Sequence, residues 1–451
     1  MTSLDTIVAV ASPAGRGAVA MLRVSGDEVP RIAREILGLV PPPRRARLAS
    51  FLDVDGKCLD QGLALYFPAP ASFTGEHVLE LQGHGGPLVT DLVLKRVLEL
   101  GCRMARPGEF SERAFCNGKI DIAQAEAVAD LIDAGTAAAA KAAVRSMRGE
   151  FSARIEELQA QLTELRAYVE AAIDFPDEEV EFLSSAAIDA RLDRVFGGFD
   201  SIIAAARQGS LLREGLTVVI AGRPNAGKSS LLNRLVGDEV AIVTAAPGTT
   251  RDLLRQRLEL DGLPLHLVDT AGLRIASDEA EEEGVRRARV EMRRADRVLY
   301  VQDATLIGAG SAATPAPEIE ELPADVPLTL VFNKIDLTGA AAHAIHGAVT
   351  EIFLSAKTGA GVDLLRTHLK ESAGYRDSES GAFTARRRHL DALRRAQALV
   401  RSAADVLRRP QAFELFAEDL RLAQCALGEI TGEFTSEDLL GAIFGSFCIG
   451  K

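Results

Sequence analysis

Residues 215–237 read GLTVVIAGRPNAGKSSLLNRLVG. An apolar, β-branched run at 216–221 enters a glycine loop, and the loop opens into a helical pattern. Gly222, Gly227, Lys228 and Ser229 fit G-x-x-x-x-G-K-[ST]. That spacing has a chemical reason. Glycines let backbone N–H groups close around phosphate oxygens at the positive end of a helix dipole. Lys228 reaches the outer phosphates, and the Ser229 hydroxyl ligates Mg²⁺.

Three later segments follow in a telling order. LPLHLVDTAG is an apolar strand that ends in Asp269, Thr270, Ala271 and Gly272. In P-loop enzymes an aspartate at such a strand end reaches Mg²⁺. LTLVFNKID ends another strand in Asn333, Lys334, Ile335 and Asp336, and IFLSAK ends a third in Ser355, Ala356 and Lys357. A carboxylate at Asp336 accepts from guanine N1 and N2, which adenine cannot offer. Residues 215–374 thus resemble the guanine-specific P-loop (Ras-like) GTPases. Nucleotide contacts are expected from Asn225, Ala226, Gly227, Lys228, Ser229 and Ser230, and from the three later segments.

Between the P-loop and the DTAG segment lies VTAAPGTTRD, 243–252, where Pro247 and Gly248 mark a loop. By the same resemblance it is switch I, with Thr250 as the Mg²⁺ and γ-phosphate sensor. Thr244, Ala245, Ala246, Pro247, Gly248 and Thr249 join Thr250 as expected GTP neighbours. Ras-like enzymes carry a water-orienting glutamine just after this DTAG. Here Leu273 follows Gly272, so another group must position the water and another cation must meet the transition-state charge. Asn225 could hold a monovalent cation beside the phosphates. Glu281, one of five acids between 278 and 283, is either the water-positioner or part of a solvated helix start.

Composition sets the wider bounds. At 451 residues the chain holds about three domains, with 47% apolar residues to fill their cores and no run long enough to span a bilayer. The first residues lack the basic start of a signal peptide. Five cysteines without CxxC spacing argue against disulfides and zinc and for a reducing cytoplasm. A net charge of −13 argues against indiscriminate coating of nucleic acid but permits a local basic patch.

The flanks read differently. Residues 1–118 alternate apolar strand patterns (TIVAVAS, GAVAMLRVSG, LASFLDV, QGLALYFPAP, HVLELQGHGG) with two helical ones, an α+β domain. Residues 119–214 are helical, with a break at DFPDEE, and 375–451 are helical again from FTARRRHLDAL. This is one discontinuous helical domain with the GTPase domain, 215–374, inserted into it. Eight arginines and two acids between 385 and 409 form either a solvated helix face or a phosphate-contacting strip.

GRPNAGKSSLLN, PGTTRD, DTAGLRIASDE, AAIDFPDEE, ARQGSLLREG, LELQGHGGP, RPGEFSERAF, DIAQAEA, ITGEFTSEDLLG and the final FCIGK together are similar to the MnmE (TrmE) family of tRNA-modification GTPases, from about residue 5 to 451. The resemblance implies a K⁺ ion held by Asn225 and by backbone oxygens of Thr244, Ala246 and Thr249, in place of an arginine finger. It makes Glu281 the catalytic glutamate. Pro247 departs from the small residue common in the family.

The same resemblance implies an N-terminal domain that forms a homodimer and binds 5-formyltetrahydrofolate or a related one-carbon folate through Arg23, Glu80, Lys119 and Lys451. Without it, Arg23 and Glu80 read as ordinary surface charges, and His84 in GHGG reads as structural. Cys448 either attacks C6 of the target uridine, or packs, or leaves the covalent chemistry to the flavin partner. The implied activity is potassium-dependent GTP hydrolysis coupled to placing an aminomethyl or carboxymethylaminomethyl group on C5 of the wobble uridine. The implied partners are tRNA and an FAD-dependent MnmG-type subunit, in a heterotetramer or larger. The remaining alternative is a GTPase that serves as an assembly or docking factor without modification chemistry.

Overall fold

Alternate residues of Val19–Ser25 face opposite ways, and the apolar Ala20, Leu22 and Val24 meet the core. That period of two sets the N-terminal sheet. The computed structural model describes residues 5–174, 185–237, 255–269, 292–306, 326–376, 382–406, 413–433, 437–445, 447 and 450. The chain divides into two compact units. One comprises Met1–Ala129, Ser146–Phe196 and Ala392–Lys451, the other Asp130–Arg145 and Gly197–Asp391.

In the first unit, six strands form one sheet: β1 (Ile7–Val10), β2 (Val19–Ser25), β3 (Arg47–Leu52), β4 (Cys58–Phe67), β5 (Val78–His84) and β6 (Arg103–Met104). Their order is β3-β4-β5-β2-β1-β6, antiparallel except for β1 with β6. Helices α1 (Val29–Leu37) and α2 (Pro87–Glu99) cover one face. They bury Ile32, Ile36, Val93 and Val97 against Val8, Leu22, Val24, Leu79 and Leu81. Each such aliphatic side chain contributes about 1.5–3 kcal/mol. The register sets Arg23 opposite Glu80 and Leu63 opposite both Gln82 and Leu48, all on the other face.

Helix α3 (Glu109–Cys116) leads into α4 (Ile122–Asp133), α5 (Ala137–Met147), α6 (Glu150–Asp174) and α7 (Ser185–Glu214). Glu109, 1% exposed, is the centre of an ionic network. Arg103 donates two hydrogen bonds to it at 2.8 and 2.5 Å, the Arg106 N–H one at 2.8 Å, and Arg113 one at 3.1 Å. Arg113 also grips Glu76 at 3.0 and 3.1 Å.

Among the described residues the second unit holds seven strands: β7 (Leu216–Gly222), β8 (Arg255–Leu260), β9 (Leu263–Asp269), β10 (Arg297–Asp303), β11 (Leu328–Asn333), β12 (His343–Ile345) and β13 (Thr350–Phe353). The order is β12-β13-β11-β10-β7-β9-β8, with the five inner strands parallel and both edge strands antiparallel. Helices α8 (Lys228–Gly237), α9 (Ile335–Thr338) and α10 (Val362–Ala373) follow β7, β11 and β13. Parallel inner strands must be buried on both faces, which explains runs such as Val218, Val219 and Ile220.

Helices α11 (Arg387–Val406), α12 (Phe413–Thr431) and α13 (Glu437–Gly445) complete the chain. The helical pattern expected from Phe383 begins at Arg387 instead. Phe383, Thr384 and Ala385 are buried as irregular chain, and a Cβ at Gly209 of α7 would lie 1.7 Å from the Phe383 carbonyl oxygen. Helix α12 packs along α6, where Arg166 donates to Gln424 at 2.6 Å and Gln424 to Thr163 at 2.6 Å. Helix α13 sets Ile443, Phe444 and the following Phe447 against Phe115 and Ile122, and only a glycine at 108 lets the Phe444 carbonyl come so near. Among the described residues no helix is long and apolar enough to cross a membrane.

Burial works to raise the Glu109 carboxyl, but the bonds from Arg103, the Arg106 N–H and Arg113 outweigh it and hold it at about 2. A lowered carboxyl stabilises the fold above its ordinary value of 4.5 and loses that contribution as pH falls toward 2. Glu109→Gln should therefore cost about 3 kcal/mol at pH 7, read in the denaturant midpoint of the first unit's transition. Wild type and variant should converge as the pH is lowered through that window.

Candidate functional site

All five inner strands of the second sheet run the same way, so their carboxyl ends share one edge. Gly222, Asp269, Asp303 and Asn333 end β7, β9, β10 and β11 there, and Ser355 follows β13. The P-loop turns from β7 into α8 with Asn225 in the left-handed region at φ 64° and Gly227 at φ 95°. A Cβ on Gly227 would lie 2.2 Å from the Asn333 side-chain nitrogen, so glycine is needed for space as well as for backbone freedom. Ala226 and Lys228 are buried, while Asn225, Ser229 and Ser230 are exposed. The Lys228 ammonium donates to the carbonyls of Gly222 and Arg223 at 2.8 and 2.9 Å, within its own loop.

Asn333, 2% exposed, links the loops. Its Nδ2 donates to the Ala226 carbonyl at 2.9 Å, and its Oδ1 accepts the N–H of Lys334 at 2.8 Å and of Ala356 at 2.9 Å. Expected as a nucleotide contact, this side chain ties the P-loop to the segments at Lys334 and Ala356. The Ser355 hydroxyl donates to Asp336 Oδ1 at 2.6 Å and so fixes the carboxylate expected to read the base. Ser355 and Ala356 are buried, and Lys357 is exposed.

Two further links were not read from the sequence. Arg234, in the last turn of α8, donates to the carbonyls of Ala356 and Lys357 at 3.2 and 2.7 Å. Lys334 stands in the left-handed region at φ 71° and donates to Asp303 at 2.6 Å. The run Val298–Val301 ahead of Asp303 is a readable strand signal. Nothing in the sequence, however, tells that Asp303 meets Lys334.

In the first unit Arg23 and Glu80 form a cross-strand ion pair at 2.9 Å, and Arg23 also donates to the Gly450 carbonyl at 3.3 Å. Gly450 thus lies beside β2. Exposed Lys119 donates to the Pro70 carbonyl at 3.1 Å. His84 bonds Asp60 through its ring at 2.7 Å and its N–H at 2.8 Å, tying the ends of β4 and β5. Burial pushes the Cys102 thiol up to about 12 and raises Cys116, so neither is a thiolate near neutrality. On α11, Arg387, Arg394, Arg395 and Arg401 are exposed, with Arg395 committed to Glu429 at 2.5 Å; just before the helix, Arg386 is committed to Asp130 at 2.9 Å.

Several expected site residues lie outside the described residues: Thr244, Ala245, Ala246, Pro247, Gly248, Thr249, Thr250, Thr270, Ala271, Gly272, Glu281, Cys448 and Lys451. Of Asp269 the backbone alone is described.

Comparison with known proteins adds to this geometry. Residues 6–119 match the family described as GTP-binding protein TrmE N-terminus, and residues 122–448 match the MnmE helical domain. The protein named tRNA modification GTPase MnmE of Methylococcus capsulatus is 58% identical over 448 residues, 99% of each chain. That of Yersinia pestis bv. Antiqua is 58% identical over 455 residues, the whole of both. The chain belongs to the MnmE family of tRNA modification GTPases. Among solved structures, a point variant of Aquifex aeolicus Era bound to GDP·AlF4⁻ aligns over 41% of this chain and 66% of its own, at 27% identity. Its TM-score of 0.27 leaves the family assignment to the sequence relatives.

In this MnmE-family chain Asn333 links three loops at the carboxyl edge of the second sheet. Asn333→Ala would leave the Ala226 carbonyl and the Ala356 N–H buried without a partner, at about 1–3 kcal/mol each. The expected result is a GDP affinity lowered by at least about tenfold together with a lower melting temperature. Titration with a fluorescent GDP analogue and a thermal melt measure both, and unchanged affinity would refute the assignment.

Proposed function

We propose that this chain is a potassium-dependent GTPase that acts, with an FAD-dependent MnmG-type partner, on tRNA. Together they would install an aminomethyl or carboxymethylaminomethyl group at C5 of the wobble uridine. The observation that carries this reading is identity of 58% along the whole chain with proteins named tRNA modification GTPase. The proposed parts are a folate-binding and dimerisation domain at 1–118, a helical domain at 119–214 and 375–451, and the GTPase domain at 215–374.

GTP would lie along the carboxyl edge of the second sheet. Lys228 would leave its loop carbonyls for the phosphates, and Asp336, held by Ser355, would read the guanine edge. Mg²⁺ would be held by Ser229 and Thr250, and K⁺ by Asn225 with backbone oxygens of Thr244, Ala246 and Thr249. These are hard oxygen donors suited to such cations, and Asn225 is exposed at a left-handed turn, outside helix and strand. The cations would supply positive charge beside the phosphates, and Glu281 would position the attacking water indirectly.

The one-carbon folate would meet the half-buried Arg23–Glu80 pair, with Lys119 and Lys451 toward its acidic tail. Contact of Arg23 with Gly450 supports this, because it brings the terminal segment to that pair. Cys448 would add through its thiolate sulfur to C6 of the uridine, and the C5–C6 π pair would move to C5 and attack a methylene-level one-carbon unit on the folate. Loss of the C5 proton would release the folate nitrogen with its C–N electron pair, and an amine adding to the resulting exocyclic methylene would restore the C5–C6 double bond and expel the thiolate. Val19, Leu48 and Leu63 stay exposed on the same sheet face, an apolar surface consistent with a homodimer. A cytoplasmic site of action follows from the tRNA substrate.

GTP turnover should be at least about tenfold faster in K⁺ than in Na⁺ at matched ionic strength, since a charge at this position is worth roughly 10³–10⁵ in other GTPases. Equal rates would remove the K⁺ role. The decisive experiment is nucleoside mass spectrometry of tRNA from a host lacking its own family member, rescued with wild type or Cys448→Ser. Restoration by wild type alone, with GTPase rates equal, supports the full reading. Restoration by both moves the covalent step off Cys448. If wild type is expressed and binds the host's MnmG-type subunit yet restores nothing, the tRNA-modification reading fails.

A further inference from the structure

Asp303 ends β10 directly beside Asn333, the last residue of β11. Its two carboxylate oxygens have separate tasks. Oδ1 accepts both the N–H of Thr305 at 3.0 Å and its hydroxyl at 2.7 Å. These two bonds fix the rotation of the carboxylate. Oδ2 then accepts the Lys334 ammonium at 2.6 Å.

Lys334 is held at its other end as well. Its backbone stands at φ 71° and ψ 33°, and its N–H donates to Asn333 Oδ1 at 2.8 Å. A lysine stem is ordinarily the most mobile part of such a loop. Here it is stretched between a fixed backbone and a fixed carboxylate, two residues before Asp336. The pair is largely covered, with side chains 29% and 17% exposed, so solvent screens it less than a surface pair. Burial works to raise the Asp303 carboxyl, but the bonds from Lys334 and Thr305 outweigh it and hold it below its ordinary value, so it stays ionised near neutrality.

We propose that Asp303 is a positioning residue for base recognition: it fixes the Lys334 stem as an apolar wall for the guanine ring, so that Asp336 meets the ring edge in register. The proposal rests on reading Asn333–Asp336 as the guanine pocket. A flat base gains little from a stem that must first be ordered, so a pre-stretched lysine lowers the entropic cost of binding. Asp303 contributes to nucleotide affinity without touching the nucleotide.

The test uses the full chain, fluorescent GDP titration and steady-state GTP turnover. Asp303→Asn should raise the GDP dissociation constant between about 3-fold and 30-fold, raise KM for GTP in step, and change kcat by less than about twofold. Lys334→Ala should weaken GDP similarly, and the double variant should be no weaker than Lys334→Ala alone. Thr305→Val, which removes one of the two bonds that fix the carboxylate, should act in the same direction with a smaller effect, and it decides the matter if Asp303→Asn does not fold. An unchanged dissociation constant in Asp303→Asn and Thr305→Val, or additive losses in the double variant, overturns the proposal. Asp336→Asn separates the two levels. If it shifts preference from GDP toward xanthosine diphosphate while Asp303→Asn changes nothing, the Asp303 role fails and the pocket stands. If it leaves base preference unchanged, the pocket reading fails and the proposal with it.

Discussion

One buried amide holds the loops at the carboxyl edge of the second sheet together. Asn333 gives its N–H to the P-loop and takes N–H groups from the two segments that would surround a base. A carboxylate there could accept from Lys334 and Ala356 but could donate nothing to Ala226. A hydroxyl would be too short to span all three. A primary amide on a short stem offers a donor nitrogen and an acceptor oxygen at separate points of one rigid group, which fits all three partners. That requirement explains why Gly227 can carry no side chain, since the amide nitrogen occupies the space a Cβ would take.

The sheet supplies the rest of the constraint. Because β7, β9, β10, β11 and β13 are parallel, every residue at a strand end arrives at the same edge without further design. Arg234 and Asp303 then add cross-links from one loop to the next. In the first unit the logic is different. There an antiparallel register sets Arg23 against Glu80 on the face away from the core, and a buried ionic cluster around Glu109 braces α3.

The sequence made some of this readable and hid the rest for physical reasons. The alternation in Val19–Ser25 and the apolar run before Gly222 are local signals, and the strands lie where those signals put them. The P-loop spacing is legible because each residue answers a chemical need of the phosphate. The start of α11 was misjudged because helix propensity in ARRRHLDAL is local, while the irregular chain at Phe383 answers to Gly209, far away in sequence. Strand β6, two residues long, carries no periodicity at all. The Asn333 bridge and the Asp303–Lys334 pair were out of reach because each depends on which strands become neighbours.

Contact of Phe444 with Gly108, and of Gly450 with Arg23, bears on how the chain is made. During translation the strands of the first unit emerge early, yet the aromatic side chains that pack on Phe115 and Ile122 come from α13 and its neighbour Phe447. In the interval the ribosome delivers all of Gly197–Asp391, a unit with its own sheet and core. The second unit can therefore complete itself while the first still waits with an open apolar surface. The order of synthesis makes the second unit an early finisher and leaves α13 to pack on the first unit afterwards. A chain stopped between 391 and 437 would carry a complete second unit and a first unit without these aromatic side chains, a natural substrate for chaperones and proteases.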